Sequence, residues 1–340
     1  MAVVIIGVLA LNVYLFTRPP AKTLRSLGTI DVPAPFRITR PFIDYMAIEG
    51  QRLYVAFASH NLVGVIDAGT NRSIATIEGL PRVHGVALVP DRSLAFVSEG
   101  AANAVGVFAL TNHQLLKEIS AGADPDAIIY DQKLQLVYVA DHDGETGTLI
   151  DPQTLAAVAT IPLGGEPEYC QADPVSGLIY QNLEDTSEVV VIDPEKRAVI
   201  RRYKLAPGET PTGLAFDSVN RRLFSATRNK KLIVLNSDTG EIVADLPIEL
   251  GVDGAAYDPM LHWIYTANGV GSITVIQQDS TDHYRALENA PTHFGGHSLV
   301  VDPVTHRIYV AYFGSVAVYE PIQPGPGVLR LSPSGNPPAS

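Results

Sequence analysis

A short strand-like run with an aromatic at a fixed place returns seven times along the 340 residues, as "RLYVAF", "LAFVSE", "LVYVAD", "LIYQNL", "RLFSAT", "WIYTAN" and "RIYVAY". The aromatics are Tyr54, Phe96, Tyr138, Tyr180, Phe224, Tyr265 and Tyr309, at spacings of 42, 42, 42, 44, 41 and 44 residues. Self-similarity at such a period means one small structural unit repeated, because a single unit of this size cannot bury its apolar face alone.

Within the third unit four strand-like runs follow one another, "DAIIYD", "LVYVAD", "GTLID" and "AVATIPLG", divided by turn formers such as "DPQT". No stretch of helical periodicity reaches ordinary helix length, which argues against alternating strand and helix. The expected fold is therefore all-β, a seven-bladed β-propeller of four-stranded antiparallel blades. The seventh unit, from "HSLVVD" (297–302), lacks a fourth strand, whereas "SLGTIDVPAP" (26–35) resembles the fourth strands and has no blade of its own. Residues 27–34 are expected to complete blade seven and close the ring, removing two free sheet edges.

The chain divides into an apolar N-terminal segment with a linker (1–26), the propeller (27–322) and a Pro/Gly/Ser-rich tail (323–340) read as disordered. "AVVIIGVLALNVYLF" (2–16) has the length of a signal's apolar region. No Lys or Arg precedes it and no small-x-small cleavage site follows, so an uncleaved membrane anchor at residues 2–16 is the expectation, with a signal of mis-assigned start as the alternative. The formal charge of −12 argues against sequence-independent nucleic-acid binding. The single cysteine, Cys170, excludes an intramolecular disulfide and a cysteine-based zinc cluster, and its setting "PEYCQAD" reads as a buried strand. Serine-hydrolase, nucleotide-binding and HExxH motifs are absent from the sequence.

Equivalent positions in the first strands of the blades line a propeller's central channel. Just before each apolar run stand Asp44, His84, Asp126, Glu168, Thr212, Asp253 and His297, a ring of carboxylates, imidazoles and one hydroxyl. His297, Asp44, His84 and Asp126 belong to consecutive blades once the ring is closed. Imidazole nitrogen with carboxylate oxygen suits a divalent metal ion, and these four are the candidate ligands. A propeller axis is too wide for side chains to fill, so a hydrated polar lining without any ion is the competing expectation. Loops between second and third strands should bring His60, Glu99, Asp141, His142, Glu184, Arg228 and Asn268 to the same mouth. At the far ends of the first strands Asp131, Asp173, Asp217, Asp258 and Asp302 are read as turn carboxylates, with His262 and His306 solvent-facing in the same turns.

The passages "FIDYMAIEGQRLYVA", "HGVALVPD", "PDAIIYD", "NLEDTSEVVVID", "PTGLAFD" and "GVDGAAYDP" resemble the YVTN-repeat β-propellers, specifically the YncE-like group, over roughly residues 27–320. The naming tetrapeptide is only approximated, best in "YTAN" (265–268). The resemblance implies a seven-bladed propeller and export, to the periplasm or beyond the cell, but not one activity. Two functions follow: a binding scaffold for a protein partner or small ligand at the channel mouth, or a metal-dependent hydrolase of lactonase type. A third reading, a haem- or quinone-type cofactor propeller, has no covalent attachment motif in the sequence and would need noncovalent binding; a divalent ion is the cofactor that the ring residues themselves suggest.

Overall fold

The computed structural model describes residues 22–31 and 42–322. The apolar segment 2–16, residues 32–34 of the expected closing strand and the tail 323–340 lie outside the described residues. Nearly all regular structure is β-strand. Among the described residues the helical elements are three 3₁₀ turns of three residues each, and no helix is long and apolar enough to cross a membrane.

Seven four-stranded antiparallel sheets form the ring. Blade three is representative, with strands Pro125–Asp131, Leu136–Asp141, Thr146–Asp151 and Ala156–Pro162 paired in sequence order. Blade seven is built from Leu299–Val301, Ile308–Tyr312 and Ser315–Pro321, and its fourth strand is Leu24–Asp31 from the other end of the chain. The expected closure is therefore present, but it begins at Leu24 rather than residue 27. Leu24 and Ile30 are buried at the two ends of this strand, and the backbone N–H groups of Lys22 and Thr23 donate to the Glu288 carboxylate of blade six. Those contacts fix where pairing starts.

The core is not one mass but seven clusters, each shared by two adjacent blades. Tyr54 of blade one packs with Val83, Val86 and Phe108 of blade two, and Tyr138 of blade three with Cys170 and Ile179 of blade four. The last cluster joins Tyr309 and Val316 of blade seven to Ile43, Leu53 and Phe57 of blade one. All seven repeat aromatics are at most 1% exposed, which explains their fixed period: each is the plug between its own blade and a neighbouring one. Cys170 is buried among them, and burial raises its thiol far above the ordinary range. The turn carboxylates behave as expected. Asp131, Asp173, Asp217, Asp258 and Asp302 each accept a backbone N–H two residues on. His262 is exposed, but His306 is not fully solvent-facing, since its Nδ1 lies 2.9 Å from Asp258 Oδ2 of blade six.

Candidate functional site at the channel mouth

Each first strand carries a local irregularity at the place where the ring residue sits. In blades two to six the pairing with the second strand gains one extra residue there, as between Pro125 and Ile128 or Pro167 and Cys170. In blades one and seven the same pattern appears in the hydrogen bonds. Asp44 N donates to Ala56 O while Ala56 N donates to Tyr45 O, and His297 and Ser298 flank Ala311 likewise. A β-bulge sets two residues against one and re-aims a side chain. Here it occurs in all seven blades at the ring residue. Carbonyls freed by the bulges are met by buried side chains: Gln181 Nε2 donates to Glu168 O, Ser98 Oγ to Asp126 O and Asn182 Nδ2 to Thr212 O, while Ser298 Oγ caps Asp44 O.

Six of the seven ring residues, Asp44, His84, Asp126, Glu168, Asp253 and His297, converge on one cavity of about 250 Å³. Thr212 does not. It is fully buried, and its Oγ1 donates to Val252 O. Of the expected rim residues, His142 and Arg228 reach the cavity, and Glu184 lies beside it, 2.7 Å from Arg228 Nη1. The others do not line it. His60 stays in its surface turn against Ser59 Oγ. Asp141 is buried within blade three, accepting from Gly122 N, Thr146 Oγ1 and Thr148 Oγ1. Asn268 is buried among Thr266, Ser272 and Thr274. Glu99 is buried against Gly106, and burial raises its carboxyl to about 7.

The structure adds Asp124, Phe42 and Tyr45 to the cavity lining. Asp124 stands two residues before the ring position on the approach to the strand, and Arg82 binds its Oδ2. Tyr45 lines both this vestibule and a second cavity of about 370 Å³ on its inner side. Its ring meets that of Tyr169 with centroids 4.8 Å apart. The tyrosine pair thus stands between the two halves of the channel, and the mouth is a floored vestibule rather than an open pore. A sequence signal for this exists. The residue after the ring position is Gly, Ala or Ser in blades two, three, five, six and seven, but Tyr in blades one and four.

Electrostatically the vestibule is crowded. His84 Nδ1 lies 2.5 Å from Asp44 Oδ2 and 3.3 Å from Asp126 Oδ1, and Nε2 lies 3.6 Å from Asp124 Oδ1. Burial by itself would push the imidazole down, but its bond to Asp44 and the charges of Asp126 and Asp124 outweigh this and raise it to about 9. Arg82 Nε also donates to His84 Nε2 at 3.1 Å, a bond that only the neutral ring can accept. The carboxylates decide the matter, because Arg82 is half exposed and its charge is already met by Asp124. His297 Nδ1 sits 2.5 Å from Asp253 Oδ2, off hydrogen-bond alignment, and is raised to about 9 against the effect of its burial. Asp253 is partly buried, which works against its charge, yet its partner His297 holds it below the usual carboxylate range. Asp126 goes the other way: burial first, then the Asp44 charge, lift it to about 7. Burial and the Asp126 charge raise Glu168 well above the ordinary value.

The four candidate metal ligands do not form one group. The donor atoms of Asp44, His84 and Asp126 lie within 4.8 Å of one another, while His297 pairs with Asp253. Two further groups of this spacing share His142, one with Asp124 and Asp143 and the other with Glu168 and Glu184.

No family model and no curated protein matches the sequence. Among solved structures, a chain of the hydrazine synthase of Kuenenia stuttgartiensis is similar with a TM-score of 0.74 at 18% identity, covering 84% of this chain and 97% of its own. A likeness at that identity concerns the propeller fold alone.

Proposed function

We propose that this chain is a binding propeller that takes a positively charged group, of a small ligand or of a partner's basic side chain, into the vestibule. One observation carries the reading. Among the described residues, Asp44, Asp124, Asp126, Glu168 and Asp253 line the cavity with Glu184 beside it, against the permanent cations Arg228 and, through Asp124, Arg82. Protons on Asp126, Glu168, His84 and His297 make up the difference. A cation can replace those protons; an anion would add to the excess. The YncE-like resemblance supports export, with residues 2–16 as a signal or tether, and we place the protein outside the cytoplasm on that basis. A reporter fused after residue 322 that is active only in the cytoplasm would overturn the placement.

A second reading rests on the Asp44, His84 and Asp126 donors, which have the spacing for one divalent ion. Such an ion would supply a Lewis acid for a lactonase-type hydrolysis, with those three residues holding it. The vestibule reading is tested by titrating the protein at pH 7 with Mn²⁺, Zn²⁺, ethylamine and a lysine-rich peptide, with acetate and phosphate as controls. Cation binding accompanied by proton release, lost in Asp126→Asn, is the expected result. Anions that bind where no cation does would refute it. Stoichiometric divalent binding together with lactone hydrolysis abolished by chelator would favour the second reading.

A further inference from the structure

A pocket of about 300 Å³ opens beside the vestibule and shares Phe42, Arg228, Asp253 and His297 with it. Its remaining wall is of a different kind. Tyr312 and Phe313 close one side, and Gly251, Gly269, Gly295 and Gly296 supply the other as bare backbone. This glycine wall is structurally enforced. Gly251 and Gly295 have φ of +75° and +82°, which side-chain-bearing residues avoid, and a Cβ on Gly295 would strike the Phe313 ring at 2.3 Å. Gly269 N and Gly295 N donate to Gly251 O and Gly269 O, so three blade loops are tied into one surface.

Around this pocket, large aromatics face solvent. Phe42, Phe294 and Phe313 are 43%, 49% and 42% exposed. Phe42 sets its edge on the His297 ring at 4.7 Å, and Phe294 lies 6.0 Å from Phe313. Apolar rings left partly in water at the rim of a concave site mark a place where a ligand body lies. The pocket's size is at the low end for small-molecule sites, so a bulky or polymeric ligand does not fit inside it.

We propose that this pocket is the recognition subsite for an arylalkylamine: a primary ammonium directed into the carboxylate vestibule at Asp253, with a flat apolar body against Phe42 and Phe313 and the glycine backbone. The proposal rests on the cation-binding reading of the vestibule and adds the chemistry of the ligand's other end. Neither half alone gives this specificity. The acidic vestibule accepts any small cation, and the aromatic pocket accepts any flat apolar group; only a molecule with both, a short link apart, satisfies the pair. An arylalkyl carboxylate is the rival to consider, since Arg228 and His297 also line the pocket. Its charge would face the vestibule carboxylates. Arg228 is held by Glu184 as Asp253 is by His297, so what favours the amine is the further carboxylates Asp44, Asp126 and Glu168 beside that pair.

The test is calorimetric titration of the full chain with 2-phenylethylamine, ethylamine, 2-phenylethanol and 3-phenylpropanoate. We expect 2-phenylethylamine to bind at least about tenfold tighter than ethylamine or the alcohol, the size of effect that an added aromatic contact supplies. Phe313→Ala should remove that advantage while leaving ethylamine binding unchanged, and Phe313→Tyr should restore it. Asp253→Asn should weaken both amines, with its thermal unfolding checked to show an intact fold. Equal binding of the two amines, or an unaffected Phe313→Ala protein, would overturn the arylalkylamine subsite and leave the vestibule reading standing. If 3-phenylpropanoate binds and neither amine does, both fall.

Discussion

The Tyr45 and Tyr169 rings, from the first strands of blades one and four, meet with centroids 4.8 Å apart and planes inclined at 50°. Blades one and four are not neighbours, so the contact spans the central channel. Tyr45 OH also reaches Asp126 Oδ2 of blade three at 3.3 Å. Burial, followed by the charges of Asp126 and Glu168, raises the Tyr45 phenol and keeps it neutral. Three blades are thereby linked at the floor of the vestibule. Tyr169→Ala should cost about 2–4 kcal/mol in denaturant unfolding, from lost aromatic packing and the cavity left behind. Tyr169→Phe should cost less than about 1 kcal/mol. An alanine variant as stable as the parent would mean that the rings do not brace the channel.

Ring closure depends on few side chains and is correspondingly fragile. Removing residues up to 31 exposes the free edge of Ser315–Pro321 and uncovers the partners of Leu24 and Ile30. Burial of those two side chains alone contributes roughly 3–6 kcal/mol, so the shortened protein should lose cooperative unfolding and aggregate. Because pairing starts at Leu24, a chain beginning at residue 27 should already be measurably weaker than one beginning at 22. Identical melting temperatures for those two chains would contradict the observed register.

Stability should fall on the alkaline side. His84 and His297 bind protons more tightly in the folded chain, at about 9, than an ordinary imidazole at about 6.5. Their contribution is complete below about pH 6.5 and is lost as pH rises through about 9, with a slope of up to about 1.4 kcal/mol per pH unit for each proton. Asp126 and Glu99, raised to about 7, act with the same sign at lower pH, between about 4 and 7. Asp253 acts oppositely: its folded-state value is depressed, so its contribution is present above about pH 4 and disappears as acid protonates it. Urea unfolding measured from pH 6.5 to 9.5 should therefore show a decline that flattens in the His84→Gln/His297→Gln double variant. The same slope in both proteins would disprove the assignment.

Two aspartates of blade three should separate structure from binding. Asp141→Ala removes the acceptor for Gly122 N, Thr146 Oγ1 and Thr148 Oγ1. The donors left unpaired should cost about 2–4 kcal/mol. Asp126→Asn instead removes a carboxylate that burial and Asp44 already disfavour, so stability above pH 7 should hold or rise while cation binding is lost. Denaturant unfolding and cation titration on both proteins give the comparison; a fragile Asp126→Asn protein that still binds cations would reverse the roles.

The sole cysteine offers a simple check on the interblade core. Cys170 is 1% exposed and its thiol is raised by burial, so it should resist a soluble disulfide reagent in the native protein and react once the chain is unfolded. Rapid native-state labelling would show that blades three and four do not pack as described.

The linear chain carries the blade count, the strand order within a blade and the ring positions around Asp126, because these follow from a period, and a period survives in one dimension. It also determined that residues before blade one complete blade seven, since one strand was missing at one end of the repeat and spare at the other. Which polar side chains share a space emerges from the folded ring. Asp141 and Asn268 stand three residues after the repeat aromatic, one before the register of His142, Glu184 and Arg228, so they close their strands and turn into their blades, where Thr146, Thr148, Ser272 and Thr274 offer partners. Asp124 and Phe42 lie outside the repeated strand pattern and enter the vestibule through loop geometry. Thr212 sits in the ring register but spends its hydroxyl on Val252 O. The split of His297 from His84, each taking a different aspartate, was likewise invisible along the chain. Which charges neutralise one another depends on distances of a few ångströms around the ring, and the period fixes the ring positions but not the side-chain rotamers that set those distances.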